Sequence, residues 1–195
     1  MVWHHGSWDG WQGWRASGPA WSGHWNAYLG IHFSERYETA KEFAAGAHAG
    51  ASLDREWQGE VVSARLRIEH PLEAGGELEL AKLGLRVALQ GGLASDMELD
   101  RWNQSSGVSW QEMAAGEDPG PLWLVDDLLN FGIGPGVVGA AVKAHLVGLG
   151  HDGVFYNNGY EELGERTAIV FGMEQIEVLE LRGMGEEEKL ALGLA

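Results

Sequence analysis

The chain's ionisable groups are unevenly placed. Five of its eight histidines, His4, His5, His24, His32 and His48, fall within the first 50 residues, and a carboxylate cluster, Glu161, Glu162 and Glu165, lies near the other end. His4, His5 and His24 with Asp9 offer metal-ligating side chains. Adjacent residues of a strand point to opposite faces, so His4 and His5 cannot easily share one ion, and no HxxxH or HExxH spacing occurs. A Ser-His-Asp hydrolase would need a GxSxG elbow, which is missing. The chain has no cysteine, which excludes disulfides, thiolate zinc sites and thiol nucleophiles. Gly134-Pro135-Gly136-Val137-Val138-Gly139 fits GxGxxG and opens a helix. A dinucleotide site also needs a preceding strand and an acidic residue about 20 positions on. Here the preceding PLWLVDDLLNFGI reads as helix, Asp152 comes too early, and Pro135 removes an N–H from the cradle. A helix-packing turn is the better reading.

The elements that must position any site follow from periodicity. Residues 2–7 and 29–33 read as short strands, and Ser34 reads as a helix N-cap. Tyr37, Ala40, Phe43, Ala44 and Ala47 then share one face of a helix ending near Gly50. Residues 60–68 (EVVSARLRI) alternate as a half-buried strand does, and Pro71 is expected to close it. Residues 77–150 read as helical, with a break at Gly91-Gly92 and a helix start at Pro121. Strands return at 153–157, 168–171 and 176–181. Strands at both ends with helices between give an α+β fold. With 195 residues and no linker or repeat, we expect a single domain over 1–183 and an acidic tail over 184–195.

Four stretches stand in a telling order. Residues 2–7 read VWHHGS and residues 29–34 read LGIHFS. Residues 150–161 read GHDGVFYNNGYE, and residues 168–176 read AIVFGMEQI. Together these resemble the ADP-ribosyltransferase superfamily, nearest to the branch of the poly-ADP-ribose polymerases and diphtheria toxin and to similar phage and bacterial polymorphic-toxin domains. The resemblance spans residues 2–181. It implies an ADP-ribosyltransferase-like fold of split mixed and antiparallel sheets with a helical middle. It also implies an enzyme that cleaves the nicotinamide–ribose bond of NAD and passes ADP-ribose to an acceptor.

The resemblance also implies roles. His5 would bind the adenine-side ribose, and Gly6 would receive the nicotinamide carboxamide on its backbone, where a side chain would block approach. Ser7 is the small hydroxyl residue beside them. His32 stands where the family has a tyrosine, and Phe43 where the nicotinamide-stacking tyrosine lies. Both keep a flat ring, which is what stacking needs. In polymerase-like members the catalytic glutamate directly precedes the YIVY-type strand, and that position here is Thr167. In phage-type relatives it follows Y-x-N, which gives Glu161, with Glu162 and Glu165 as neighbours. The order of expectation is Glu161, then Glu165. Such a carboxylate would offset the positive charge developing in the transition state. No Glu-x-Glu or Gln-x-Glu precedes the last strands, which disfavours arginine as acceptor.

Composition bears on partners. The net charge is −16, which argues against nucleic acid and anionic lipid as partners. The first 50 residues carry only −1 of it, and six of the ten Trp fall in the first 25. This Trp-rich loop is expected to cover the NAD cleft or to present an acceptor or partner surface. No secretory signal and no membrane-spanning run is visible, so the expected compartment is the cytoplasm, of the source or of a target cell. The combined expectation is a phage or bacterial effector or toxin acting as a mono-ADP-ribosyltransferase. NAD is its substrate, its acceptor is expected to be a protein, and an antitoxin or immunity protein would be a fitting partner. An NAD glycohydrolase, a catalytically inactive relative that binds NAD or a partner or is structural, and a Trp-rich structural or carbohydrate-binding module stay open as alternatives.

Overall fold

The computed structural model describes residues 1–7, 14, 24–45, 59–106, 109, 112, 122–158 and 165–183. Among the described residues there are seven strands: β1 (Trp3–Ser7), β2 (Ile31–Ser34), β3 (Glu60–Leu66), β4 (Pro71–Glu73), β5 (Gly153–Asn158), β6 (Glu165–Val170) and β7 (Ile176–Gly183). The helices are α1 (Tyr37–Ala44), α2 (Glu77–Gln90), α3 (Asp96–Ser106), α4 (Leu122–Asp127) and α5 (Pro135–Gly148). A π-helical turn, Leu128–Ile133, joins α4 to α5, and 3₁₀ turns cover Trp25–Tyr28 and Met173–Gln175. The α+β reading holds, with the helical middle where the periodicity puts it. The strands, expected as split sheets, form one seven-stranded sheet in the order β4-β5-β6-β2-β1-β3-β7. All pairs are antiparallel except β4 with β5.

Pro71 begins a strand instead of closing one. The β3 strand stops at Leu66, and Pro71 pairs in parallel with Gly153. Asp152 sets that register: its carboxylate accepts the backbone N–H groups of Glu69 and His70, each at 2.8 Å. Gln175 does similar work beside it. Its Oε1 accepts from Phe171 and Gly172 N–H, and its Nε2 donates to the Arg67 and Asp152 carbonyls. Two residues within the resemblance stretches therefore act as anchors of the sheet.

The sheet's two faces differ. One face carries Trp3, Ile31, Phe33, Ala64, Ala168 and Val170, with Trp14 and Phe155 packed against them. The other face carries Val154, Tyr156 and Ile169, which join Leu80, Leu85, Leu129, Val138, Val142 and Leu146 of the helical layer in the main core. The helix α1 lies on this second face too, over β1 and β3, where Ala40 and Ala44 meet Val61. Between α1 and the helical layer runs the middle of the sheet, and its side chains there are polar.

Of the described N-terminal Trp residues, Trp3 and Trp25 are buried and Trp14 is partly buried. Trp3 stacks on Phe155 at 5.4 Å, and Trp14 packs against His5 and Phe33. Trp25 is 2% exposed in the main core, and its indole N–H donates to Asp126. Burial of a side chain this large contributes about 3 kcal/mol. Gly139 lets α5 approach Trp25: a Cβ there would lie 2.6 Å from the Trp25 carbonyl oxygen. Gly134, with φ of +113°, follows the π-helical turn and not a strand. Pro135 takes the first helical turn of α5, so the GxGxxG stretch is a helix-opening turn. Among the described residues no single helix is long and apolar enough to cross a membrane.

Candidate functional site

The polar middle of the sheet begins with Glu165, the first residue of β6. Its side chain is 6% exposed, and its Oε1 pairs with Arg36 Nη1 at 2.5 Å. Its Oε2 accepts from Thr39 Oγ1 at 2.5 Å and from Ser34 Oγ at 3.2 Å. The sequence explains how these donors converge. The β2 strand ends at Ser34, whose Oγ also accepts the Arg36 N–H at 3.1 Å, a local side-chain turn of the kind that competes with helix. Ser34 was expected as the N-cap of α1; that position falls to Arg36, in extended backbone. Thr39 then lies on the inner face of α1 with Ala40 and Ala44. Arg36 and Thr39 are functional candidates that sequence reasoning missed, because their partner is more than a hundred residues away.

Thr167 stands two residues beyond Glu165, on the same face of β6. It is in register with Ser34 on one side and Tyr156 on the other. It is 4% exposed, and its hydroxyl has no hydrogen-bond partner among the described residues. His32, two residues before Ser34, points to this face and meets Tyr156 edge-on. Its Nε2–H donates to the Asn26 carbonyl at 2.9 Å, which leaves Nδ1 as the acceptor toward the Tyr156 hydroxyl at 3.5 Å. Burial lowers the His32 pKa to about 4.

His5 takes the opposite face of the neighbouring strand. Its ring lies against Trp14 and Phe33, and its Nδ1–H donates to the His32 carbonyl at 2.8 Å. The ladder between β1 and β2 is registered only at His4 and Ser34, whereas β1 pairs with β3 from Trp3 to Ser7. Beside that single pair, the His5 ring links the two strands through its bond to the His32 carbonyl. Burial lowers the His5 pKa also. Both imidazoles are therefore neutral near pH 7 with fixed tautomers. Histidine acid–base catalysis, which works best with a pKa near the operating pH, is not what these two rings are tuned for.

The remaining expected residues divide between the faces. Gly6 points toward α1: a Cβ on it would lie 2.6 Å from Ala44 N and 2.9 Å from Phe43 Cβ. The glycine is thus required by the helix's approach, whatever binds nearby. Phe43, expected on the inner face of α1, is 40% exposed at its edge. It follows Thr39 by four residues, about 6 Å along the helix and on the same side. Ser7 alternates to the face of His5. His4 faces α1, where Nδ1 meets Ser63 Oγ at 3.0 Å and the ring meets Tyr37 edge-on. Opposite orientation keeps His4 and His5 from acting on one ion. Glu161 and Glu162 lie outside the described residues, as do Asp9 and most of the Trp-rich loop.

Gly6, Phe43, Thr39, Glu165, Ser34, Thr167, His32 and Tyr156 thus follow one another on a single sheet face. The arrangement offers a clamped carboxylate, hydroxyls on three adjacent strands and an exposed aromatic edge. Comparison of the chain with models of protein families, with curated proteins and with solved structures finds no match.

Proposed function

We propose that this chain is an NAD-dependent mono-ADP-ribosyltransferase with an ADP-ribosyltransferase-like fold, and that Glu165 is the carboxylate that serves the reaction. The observation that carries the reading is the Glu165 site itself. A buried carboxylate, held at both oxygens, shares a sheet face with His32 and adjoins the helix that presents Phe43 beside Gly6. A second support is spatial. The stretches behind the resemblance contribute β1, β2, β5 and β6, which are four neighbours in the sheet. In this reading the C–N bond between ribose and nicotinamide breaks, and nicotinamide leaves with the bonding pair. The Glu165 carboxylate accepts a ribose hydroxyl and offsets the positive charge on the sugar. An acceptor nucleophile closes the new bond at the same carbon and releases its proton to solvent. Phe43 offers a ring for stacking, and local geometry binds the dinucleotide despite the net charge of −16.

The test is turnover of NAD by the purified protein, alone and with a cell lysate, following free nicotinamide and labelled ADP-ribose. Glu165→Gln and Glu161→Gln are run in parallel. Nicotinamide release abolished by Glu165→Gln and kept by Glu161→Gln supports the assignment, and the converse moves the role to Glu161. Label transferred to lysate protein separates a transferase from a glycohydrolase. Thr167, where polymerase-like members carry glutamate, favours a second reading, an NAD-binding protein without turnover. A melting shift with NAD but no nicotinamide release would select it. Neither release nor shift would end the NAD reading.

A further inference from the structure

The helix α5 is apolar on both of its sides. Val138, Val142 and Leu146 are buried in the main core. On the opposite side Val137, Ala140, Ala144 and Val147 are exposed, the two valines at 53% and 54%. Spacings of three, four and three residues set these four in one stripe along the helix, the spacing of a coiled-coil seam. Phe131 and Leu149, just before and just after the helix, are exposed as well. A helix that is apolar all round is ordinarily covered all round, and a contiguous exposed apolar stripe marks a surface that meets something.

We propose that this stripe pairs with the same stripe of a second copy of the chain, antiparallel, about a two-fold axis level with Val142. The order valine, alanine, alanine, valine is the same from either end. In that register Val137 meets the partner's Val147 and Ala140 meets the partner's Ala144, twice over, which is the self-complementarity a two-fold interface requires. The alanines let the helices approach closely at the middle, and the valines fill the ends. Charge also selects a second copy. With a net charge of −16, two copies repel each other over most of their surfaces. Residues 128–151 contain no Asp or Glu, and Lys143 is turned away to the Phe171 carbonyl. The stripe is therefore a place where two copies meet without opposing carboxylates. The helix has 14 residues, so the seam is about 21 Å long. One helix pair is at the small end of specific interfaces, and a weak dimer with a Kd of about 10 μM is expected. The dimer does not depend on the NAD chemistry.

Sedimentation equilibrium of the full chain tests this, at concentrations from well below to well above that Kd. Wild type should pass from monomer to dimer and no further. Its association should tighten as salt rises, because screening removes the repulsion and the seam has no ion pair to lose. Two double variants test the register: Ala140→Lys with Ala144→Lys, and Ala140→Glu with Ala144→Glu. Both positions are exposed, so each variant should melt close to the wild-type temperature. Each alone should associate at least about tenfold more weakly than wild type, because like charges then face each other. An equimolar mixture of the two should form a one-to-one dimer, since each lysine then meets a glutamate. Wild type that stays monomeric throughout overturns the proposal. A dimer that both variants leave intact does so too, because another surface then carries it. A mixture that stays monomeric overturns the antiparallel register. Wild type that stays monomeric in solution but floats with vesicles of neutral phospholipid assigns the stripe to a bilayer and overturns the dimer.

Discussion

Glu165 is where folding and the proposed chemistry use the same atoms. Three donors converge on it, so truncation leaves Arg36 without its counter-ion and two hydroxyls without their acceptor. We expect Glu165→Ala to cost about 3 kcal/mol in urea unfolding. Arg36→Ala should cost about 1 kcal/mol or less, because the Arg36 side chain is 47% exposed and water can replace what it loses. Equal costs for the two would mean that the ion pair, and not the buried hydroxyl contacts, carries the stability. The same asymmetry explains why Glu165→Gln suits the activity test: the amide oxygen can still accept from Ser34 and Thr39. Gly6 gives a sharper case. Gly6→Ala drives a methyl into the backbone of α1, and neither strand nor helix can give way without loss of the other's packing. A cost of about 2 kcal/mol is expected, with activity falling as α1 shifts Thr39 and Phe43. A Gly6→Ala protein as stable as wild type would show that α1 slides freely on β1.

At the scale of elements, Gln175 joins three segments through four hydrogen bonds to Arg67, Asp152, Phe171 and Gly172. Gln175→Ala should cost about 2–4 kcal/mol and should speed amide exchange at Phe171 and Gly172, while exchange in α5 stays slow. Uniform acceleration across the protein would instead indicate a global loss. How much of this was legible in the sequence depends on the range of the interaction. The alternation in β3 and the apolar spacing of α2 and α5 are local, and the elements stand where the pattern puts them. Pro71 was misread because its strand exists only through pairing with Gly153, a contact that no local window contains. Ser34 reads as a cap from its neighbours alone; its bond to Glu165 spans 131 positions. The single sheet was missed for the same reason. The two ends of the chain meet at β2 and β6, and strand alternation says nothing of which strands are neighbours. For the site, the resemblance implied His5, His32, Phe43 and Glu161, with Glu165 second. The division of the described ones between two faces follows from the strand period once β1 and β2 are placed side by side. Arg36 and Thr39 carry no motif that could have marked them as site residues beforehand; Thr167 was marked only by standing where polymerase-like members carry glutamate.

At the scale of the whole molecule, two effects oppose each other as pH falls. The net charge of −16 at pH 7 repels itself, and acid relieves that repulsion. The buried histidines act in the other direction. Burial lowers the pKa of His4, His5 and His32 in the native state, that of His32 to about 4. In the unfolded chain each titrates near its ordinary value of about 6.5. Between those values the unfolded state binds protons that the native state refuses, so stability rises with pH across the window. The stability is fully present above about pH 6.5 and is lost as pH falls toward 4. For His32 the upper bound is about 3 kcal/mol, reduced by whatever solvent reaches the ring. Asp126 works in the opposite sense, since burial raises its pKa and the native state there holds a proton more readily than the unfolded chain. A wild-type curve mixes all of these. The informative quantity is the difference between His32→Gln and wild type, measured by urea unfolding from pH 7.5 to 4.5 at high salt, where surface repulsion is screened. That difference should be constant above pH 7 and should shift steadily in favour of His32→Gln below 6.5. A difference that stays flat to pH 4.5 would mean that His32 protonates as easily folded as unfolded. Burial would then not hold it in the neutral form in which Nδ1 can accept from the Tyr156 hydroxyl.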